Sequence, residues 1–147
     1  MELDYTVKTE KSYDAAVADV IARTEAHGFR VQFVHDVAAT LAEKGFDREP
    51  VAIVEMCNAK HASKVLAADV KIGLMLPCPI MVYVKDGEVF ISTMRPSLIG
   101  AFFPEAGISD VAAEVETVLL EIVDEAATAP SPSPPARTRS TDSSGSR

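Results

Sequence analysis

Cysteine is scarce in this chain, tryptophan is absent and basic residues are outnumbered by acidic ones. Each shortage removes a class of function. Two cysteines in 147 residues do not make a disulfide framework, so Cys57 and Cys78 are expected as reduced thiols. Lys and Arg total 14 against 22 Asp and Glu, and the formal charge of −8 hides a split. Residues 1–129 hold 11 basic and 21 acidic residues, a net of −10, whereas 130–147 hold Arg137, Arg139 and Arg147 against Asp142, a net of +2. A field of that sign repels phosphate backbones, because nucleic-acid affinity comes largely from Lys and Arg displacing counterions. Neither nucleic acid nor an anionic membrane is expected as a partner.

Long hydrophobic runs are lacking too. No window approaches the roughly 18 unbroken apolar residues of a membrane helix. The start, Met1-Glu2-Leu3-Asp4-Tyr5-Thr6, is acidic and has no basic flank leading into an apolar stretch, which argues against a signal peptide and for a cytoplasmic protein. The seven glycines are scattered, so no Gly-rich phosphate loop exists, and no Gly-x-Ser-x-Gly elbow occurs. Glu114 and Glu121 lie on solvated helix faces and do not read as a catalytic pair.

What is present is a hydrophobic fraction of 48%, enough for one sizeable core. The composition changes at Pro130 to a Pro/Ser/Arg-rich stretch with almost nothing apolar to offset the entropy of ordering. The expected organisation is one domain over 1–129 and a disordered tail over 130–147. Leu3, Tyr5 and Val7 alternate with polar residues as in a half-buried strand. A helix over 12–27 follows, capped by Ser12 and stopped by Gly28. Phe29, Val31 and Phe33 alternate as a second strand, with His35 continuing the same parity as a strand-end histidine. A short helix over 36–44 ends at Gly45.

Val51–Cys57 is apolar on both parities until Glu55, as in a central strand. Asn58 caps a helix running to about Asp69. Asp86-Gly87 between two apolar runs is a hairpin signal, because it supplies the positive φ angles of a type I′ turn. The last helix begins at Ser109. A hairpin requires an antiparallel pair, which excludes a purely parallel doubly wound sheet. The fold class is α+β: a two-layer α/β sandwich with helices on one face of a mostly antiparallel or mixed sheet of about five strands.

The string Glu55-Met56-Cys57-Asn58, then Leu66-Ala67-Ala68-Asp69, then Leu76-Pro77-Cys78-Pro79-Ile80, Val82-Tyr83 and Asp86-Gly87, resembles the family catalogued as domain of unknown function 302. The likeness covers roughly residues 3–125. It implies a compact, self-associating α/β sandwich, a homodimer, in a prokaryotic cytoplasm. It brings no established activity, cofactor or catalytic residues.

The residues themselves mark one region. A helix N-terminus carries about half a positive charge and favours a thiolate, so Cys57 beside an Asn58-capped helix reads as a reactive thiol. The competing reading is a small buried hydrophobe. Cys78 sits between Pro77 and Pro79, whose fixed φ suits either a preorganised site or a plain turn. His61, with Met56 and Met75 as thioethers, can join the two cysteines as a soft ligand for copper or zinc, although the spacing is no recognised metal motif. Glu55 shares strand parity with Cys57 and is either a proton donor or a solvated carboxylate. Tyr83 is either a packing residue or a pocket edge. The segment 95–104 reads as an apolar loop, a subunit contact or pocket lid, with Arg95 placed for an anionic ligand.

Three functions stay open: a dimeric, non-enzymatic or weakly catalytic ligand-binding module near Cys57, Glu55 and Cys78, taking a small anionic or sulfur-containing ligand; a sulfur-carrying or redox protein using Cys57 with Cys78 as resolving partner; and a soft-metal binder.

Overall fold

Five strands form one sheet in the order β1-β5-β4-β3-β2, with every neighbouring pair antiparallel. The computed structural model describes residues 2–128, so the expected tail at 130–147 lies outside the described residues. In chain order the elements are β1 (Asp4–Thr9), α1 (Tyr13–Ala26), β2 (Arg30–Asp36), α2 (Val37–Ala42), β3 (Val51–Cys57) and α3 (Ala59–Ala68). After these come β4 (Cys78–Lys85), β5 (Glu88–Met94), α4 (Ser97–Phe102) and α5 (Ser109–Thr128), with 3₁₀ segments at Val70–Met75 and Pro104–Ala106. No helix among the described residues is long and apolar enough to cross a membrane.

Helices α1 and α5 cover one face of the sheet. Ala16 and Val20 of α1 and Leu119, Ile122 and Val123 of α5 are fully buried against Val54 and Met56 of β3, Ile80 and Val82 of β4 and Ile91 of β5. Alternation along each strand sends those side chains inward and their neighbours to the opposite face. Ser12 caps α1 by accepting from the Ala15 amide at 3.2 Å, and Gly28, at φ +81°, ends the helix as expected.

Three details depart from the sequence reading. The β2–β3 register shifts between Val31 and Phe33, so Gln32 forms a bulge. That one extra residue reverses the parity, leaving Phe29 and Val31 packed on the core while Phe33 and His35 turn to the other face. Secondly, the chain between Asp69 and Leu76 is a 3₁₀ segment that the pattern did not signal. Thirdly, 95–104 is no loop. It contains α4, whose Leu98 and Ile99 are buried, Ile99 in a second small cluster with Val65, Ile72 and Ile108.

The hairpin joining β4 and β5 uses Asp86 at φ 52° and Gly87 at φ 78°. The Glu49 carboxylate accepts from both turn amides, at 3.1 Å from Asp86 and 3.2 Å from Gly87. A Cβ on Gly87 meets no heavy atom within 4 Å, so the cost of a side chain there is conformational alone. Gly87→Ala should therefore lower the unfolding free energy by about 1 kcal/mol and Gly87→Asn by less, because Asn tolerates the left-handed region. Urea denaturation of the two variants measures the difference; equal effects would place the cost in side-chain packing rather than in the backbone.

Candidate functional site

Cys57 ends β3 and Cys78 begins β4, and antiparallel pairing brings those two termini to the same end of the sheet. Met56 lies directly opposite Cys78, while Cys57, one residue further, pairs with Arg30 of β2. Both cysteines are free and half-buried. Together they line a cavity of about 40 Å³ whose walls come from β3, α3 and α5, closed by Phe29, Leu76, Pro96, Ile99 and Ile108. On the same measure a single water needs about 10–15 Å³, so the space suits a group of a few heavy atoms.

Helix α3 forms the outer wall through His61, Ala62 and Val65. Its start is held by Asn58, whose Oδ1 accepts from the Lys60 and His61 amides at 3.1 and 3.2 Å and whose Nδ2 donates to the Gly28 carbonyl at 3.3 Å. Asn58 thus takes two of the first-turn amides that the sequence offered to Cys57. The His61 ring stacks on Phe29, with centroids 6.1 Å apart, and its Nδ1 is buried without a hydrogen-bond partner. A buried polar atom left unpaired costs about 1–3 kcal/mol.

The Cys78 thiol is pushed from 9.0 up to about 11, first by burial and then by the neighbouring Cys57. Its immediate surroundings are fixed by prolines on both sides, the Leu76–Pro77 bond being cis.

The other residues named from sequence are not in this cavity. Glu55 faces the opposite side of the sheet and bonds His35, Oε1 to Nε2 at 2.9 Å. Tyr83 is on that same side, stacked on Phe90 with centroids 5.4 Å apart. Arg95 is engaged elsewhere: Nε donates to the Asp4 carbonyl at 3.3 Å, Nη2 lies 3.5 Å from Glu2, and the guanidinium sits over the Tyr5 ring. Met75 packs in the small second cluster. Among the described residues no group of three or more His, Cys, Asp or Glu side chains is disposed to hold a metal ion, so Cys57, Cys78 and His61 share a cavity without forming a ligand set. Sequence reasoning passed over Ala62, Val65, Leu76, Pro96, Ile99 and Ile108 as cavity walls. The apolar stripe of α3 reads the same whether it faces a filled core or a hollow.

The profile of a family described as domain of unknown function DUF302 matches residues 5–126. The chain belongs to the DUF302 family. The crystal structure of an uncharacterized conserved DUF302 protein from Bacillus stearothermophilus is similar at 26% identity, with a TM-score of 0.81, over 87% of this chain and 100% of that one. No curated protein matches. Membership in DUF302 therefore fixes the fold and leaves the chemistry of the cavity to its own residues.

That chemistry has a pH signature. Cys78 has a folded pKa above its unfolded one, so its contribution to stability is complete below about pH 9 and is lost as pH rises towards 11. A shift of this size corresponds to a loss on the order of 2–3 kcal/mol across that window. Urea denaturation under reducing conditions, at pH 8 and at pH 10.5, should show wild type losing more stability than Cys78→Ala between the two. Parallel losses would mean that the thiol is solvated.

Proposed function

We propose that this protein binds a small neutral ligand, of a few heavy atoms with an apolar or sulfur-containing body, in the cavity lined by Cys57, Cys78 and His61. The observation that carries the reading is the cavity itself, in which both thiols and the His61 ring meet an otherwise largely apolar lining. No Lys or Arg lines the cavity, and Arg95 is already engaged, which favours a neutral ligand over an anionic one. The size of the space and its thioether and thiol lining favour a soft, polarizable body.

The test has two arms. Replacing His61 by Leu removes the unpaired nitrogen and should raise the unfolding free energy of the ligand-free protein by about 1 kcal/mol. A loss of that size instead would mean that His61 is structural. In the second arm, dimethyl sulfide should raise the Tm of wild type while propionate does not, and Ala62→Phe, which fills the cavity, should abolish the shift. An equal shift in the filled variant would sink the proposal.

A second reading, a thiol that carries a sulfur adduct, is favoured by the shared position of the two cysteines. Cys57 is then the carrier. At pH 7 a thiol with a pKa of about 11 has a thiolate fraction on the order of 10⁻⁴. Cys78 is therefore a slow resolving partner, and an adduct on Cys57 is long-lived. Treating the reduced protein with methyl methanethiosulfonate forms a methyl disulfide on Cys57 with release of methanesulfinate. Intact mass should show that adduct persisting for hours at pH 7. Its rapid collapse to a Cys57–Cys78 disulfide, with loss of methanethiol, would instead mark a redox pair.

A further inference from the structure

Seven large apolar side chains stand exposed among the described residues, and four of them gather at one corner. They are Leu66 on α3, Val70 and Leu74 on the 3₁₀ segment that follows it, and Phe102 at the end of α4, exposed by 37, 75, 86 and 70%. Apolar side chains scattered singly over a surface need no explanation, but a contiguous group marks a place of contact. This group is contiguous. Leu66 lies against Gly73, next to Leu74, for a Cβ on that glycine would meet the Leu66 Cδ2 at 3.4 Å. Asp69, beside Val70, shares an open hollow of about 370 Å³ with Phe102 and Phe103.

Three ammonium groups accompany it. Lys60, Lys64 and Lys71 are exposed, and among the described residues none of them has an ion-pair partner. Residues 60–75 carry a net of +2 in a domain of −10. Asp69, the one acid of that stretch, accepts from the Lys71 amide at 2.9 Å. Helical periodicity sets the layout of α3. His61, Ala62 and Val65 face the cavity, and the opposite side presents exposed Ser63 and Ala67, with Leu66 on one flank and Lys60 and Lys64 on the other. Small side chains between an apolar edge and a basic one make a track along which a second helix packs closely.

We infer that this corner docks an acidic amphipathic helix of another protein, laid along Ser63 and Ala67. Its apolar stripe meets Leu66 and, beyond it, Val70, Leu74 and Phe102, and its carboxylates meet Lys60, Lys64 and Lys71. Charge selects that occupant. Unpaired ammonium groups beside an apolar patch favour a partner that combines carboxylates with apolar side chains. An anionic bilayer offers the same two features, but a plane meets the whole side of the molecule, including the exposed Glu105 of the same hollow, within a Debye length of about 8 Å. A helix is about 10 Å across and meets the lysine row alone. With ten residues α3 is about 15 Å long, so the contact is small and transient, with a Kd on the order of 10 μM. Docking here does not depend on what the cavity holds.

Fluorescence anisotropy of a labelled peptide of about five helical turns, titrated with the full chain, tests it. The peptide carries leucines at helical spacing on one face and glutamates elsewhere; its controls are a scramble of the same composition and a version with lysine for every glutamate. The acidic peptide should bind with a Kd on the order of 10 μM, and both controls at least about 10-fold more weakly. Lys60→Glu combined with Lys64→Glu, and Leu74→Ser alone, should each weaken binding by about 10-fold or more. Leu3→Ser, at an exposed residue of the open sheet face, should leave it unchanged. All four positions are exposed, so these variants keep the fold. No binding up to about 500 μM overturns the inference, as does a control peptide that binds as tightly, or an affinity that survives in the lysine or the Leu74 variant. The chain should also stay in the supernatant when phosphatidylcholine–phosphatidylglycerol vesicles are sedimented; co-sedimentation that Leu74→Ser abolishes would mark a lipid surface and overturn the inference too.

Discussion

The pairing of β3 with β4 is the constraint on which the rest depends. Because the two strands run antiparallel with Met56 opposite Cys78, the C-terminal end of one and the N-terminal end of the other coincide in space. Everything that distinguishes this end follows: α3 leaves from Asn58, and the proline-flanked entry to β4 arrives beside it. A shift of one residue would send Met56, Val54 and Ile80 to the wrong face and separate the thiols. The fully buried side chains on both strands hold that register, since each slip would expose several of them at about 1.5–3 kcal/mol apiece.

Two long helices cover one face of five strands, and they do not extend to its corner. At that corner the fold turns to short elements, α3, α4 and two 3₁₀ segments, and the small cluster of Val65, Ile72, Ile99 and Ile108 replaces the main core. Short helices cannot bury a continuous stripe, so the packing there is shared among several chain segments. Val65 is the one buried residue of α3, which leaves the outer wall of the cavity held chiefly by Asn58 at its start and by packing against the following 3₁₀ segment. The cavity is thus a consequence of how the chain turns the corner.

Much of this was legible in the residues, and what was not has identifiable causes. Ser12, Gly28, Asn58 and Asp86-Gly87 act locally, through caps and positive φ angles, and the structure places each as its chemistry predicts. The bulge at Gln32 is a different matter. Phe29, Val31, Phe33 and His35 alternate without interruption, and only the pairing with β3 inserts the extra residue that reverses the face. The segment 95–104 was hidden for a related reason. Six residues are too few to display a helical period, and α4 is held by tertiary burial of Leu98 and Ile99. The cavity itself leaves no mark in the sequence, because apolar side chains that line a hollow and those that fill a core follow the same pattern.

The string Glu55-Met56-Cys57-Asn58 shows why adjacency in sequence is a poor guide to a site on a strand. Glu55 is parted from the other three, which all line the cavity but are held there in different ways. Glu55 faces the open side of the sheet and bonds His35. Met56 is fully buried in the main core. Cys57, where the strand ends, reaches the cavity, and Asn58 closes the first turn of α3. Glu55 and Cys57 share strand parity, but the chain leaves the sheet after Cys57 and takes that residue to the cavity, while Glu55 stays within the strand, opposite Pro79 on one side and Phe33 on the other. Cys78, 21 positions along the chain, is meanwhile brought to the same cavity as Cys57. The chemistry at this end of the sheet therefore rests on two thiols and an imidazole in an apolar wall with no carboxylate among them. Whatever Cys57 does, it does without Glu55 as its base, because that carboxylate is committed to His35 on the open face.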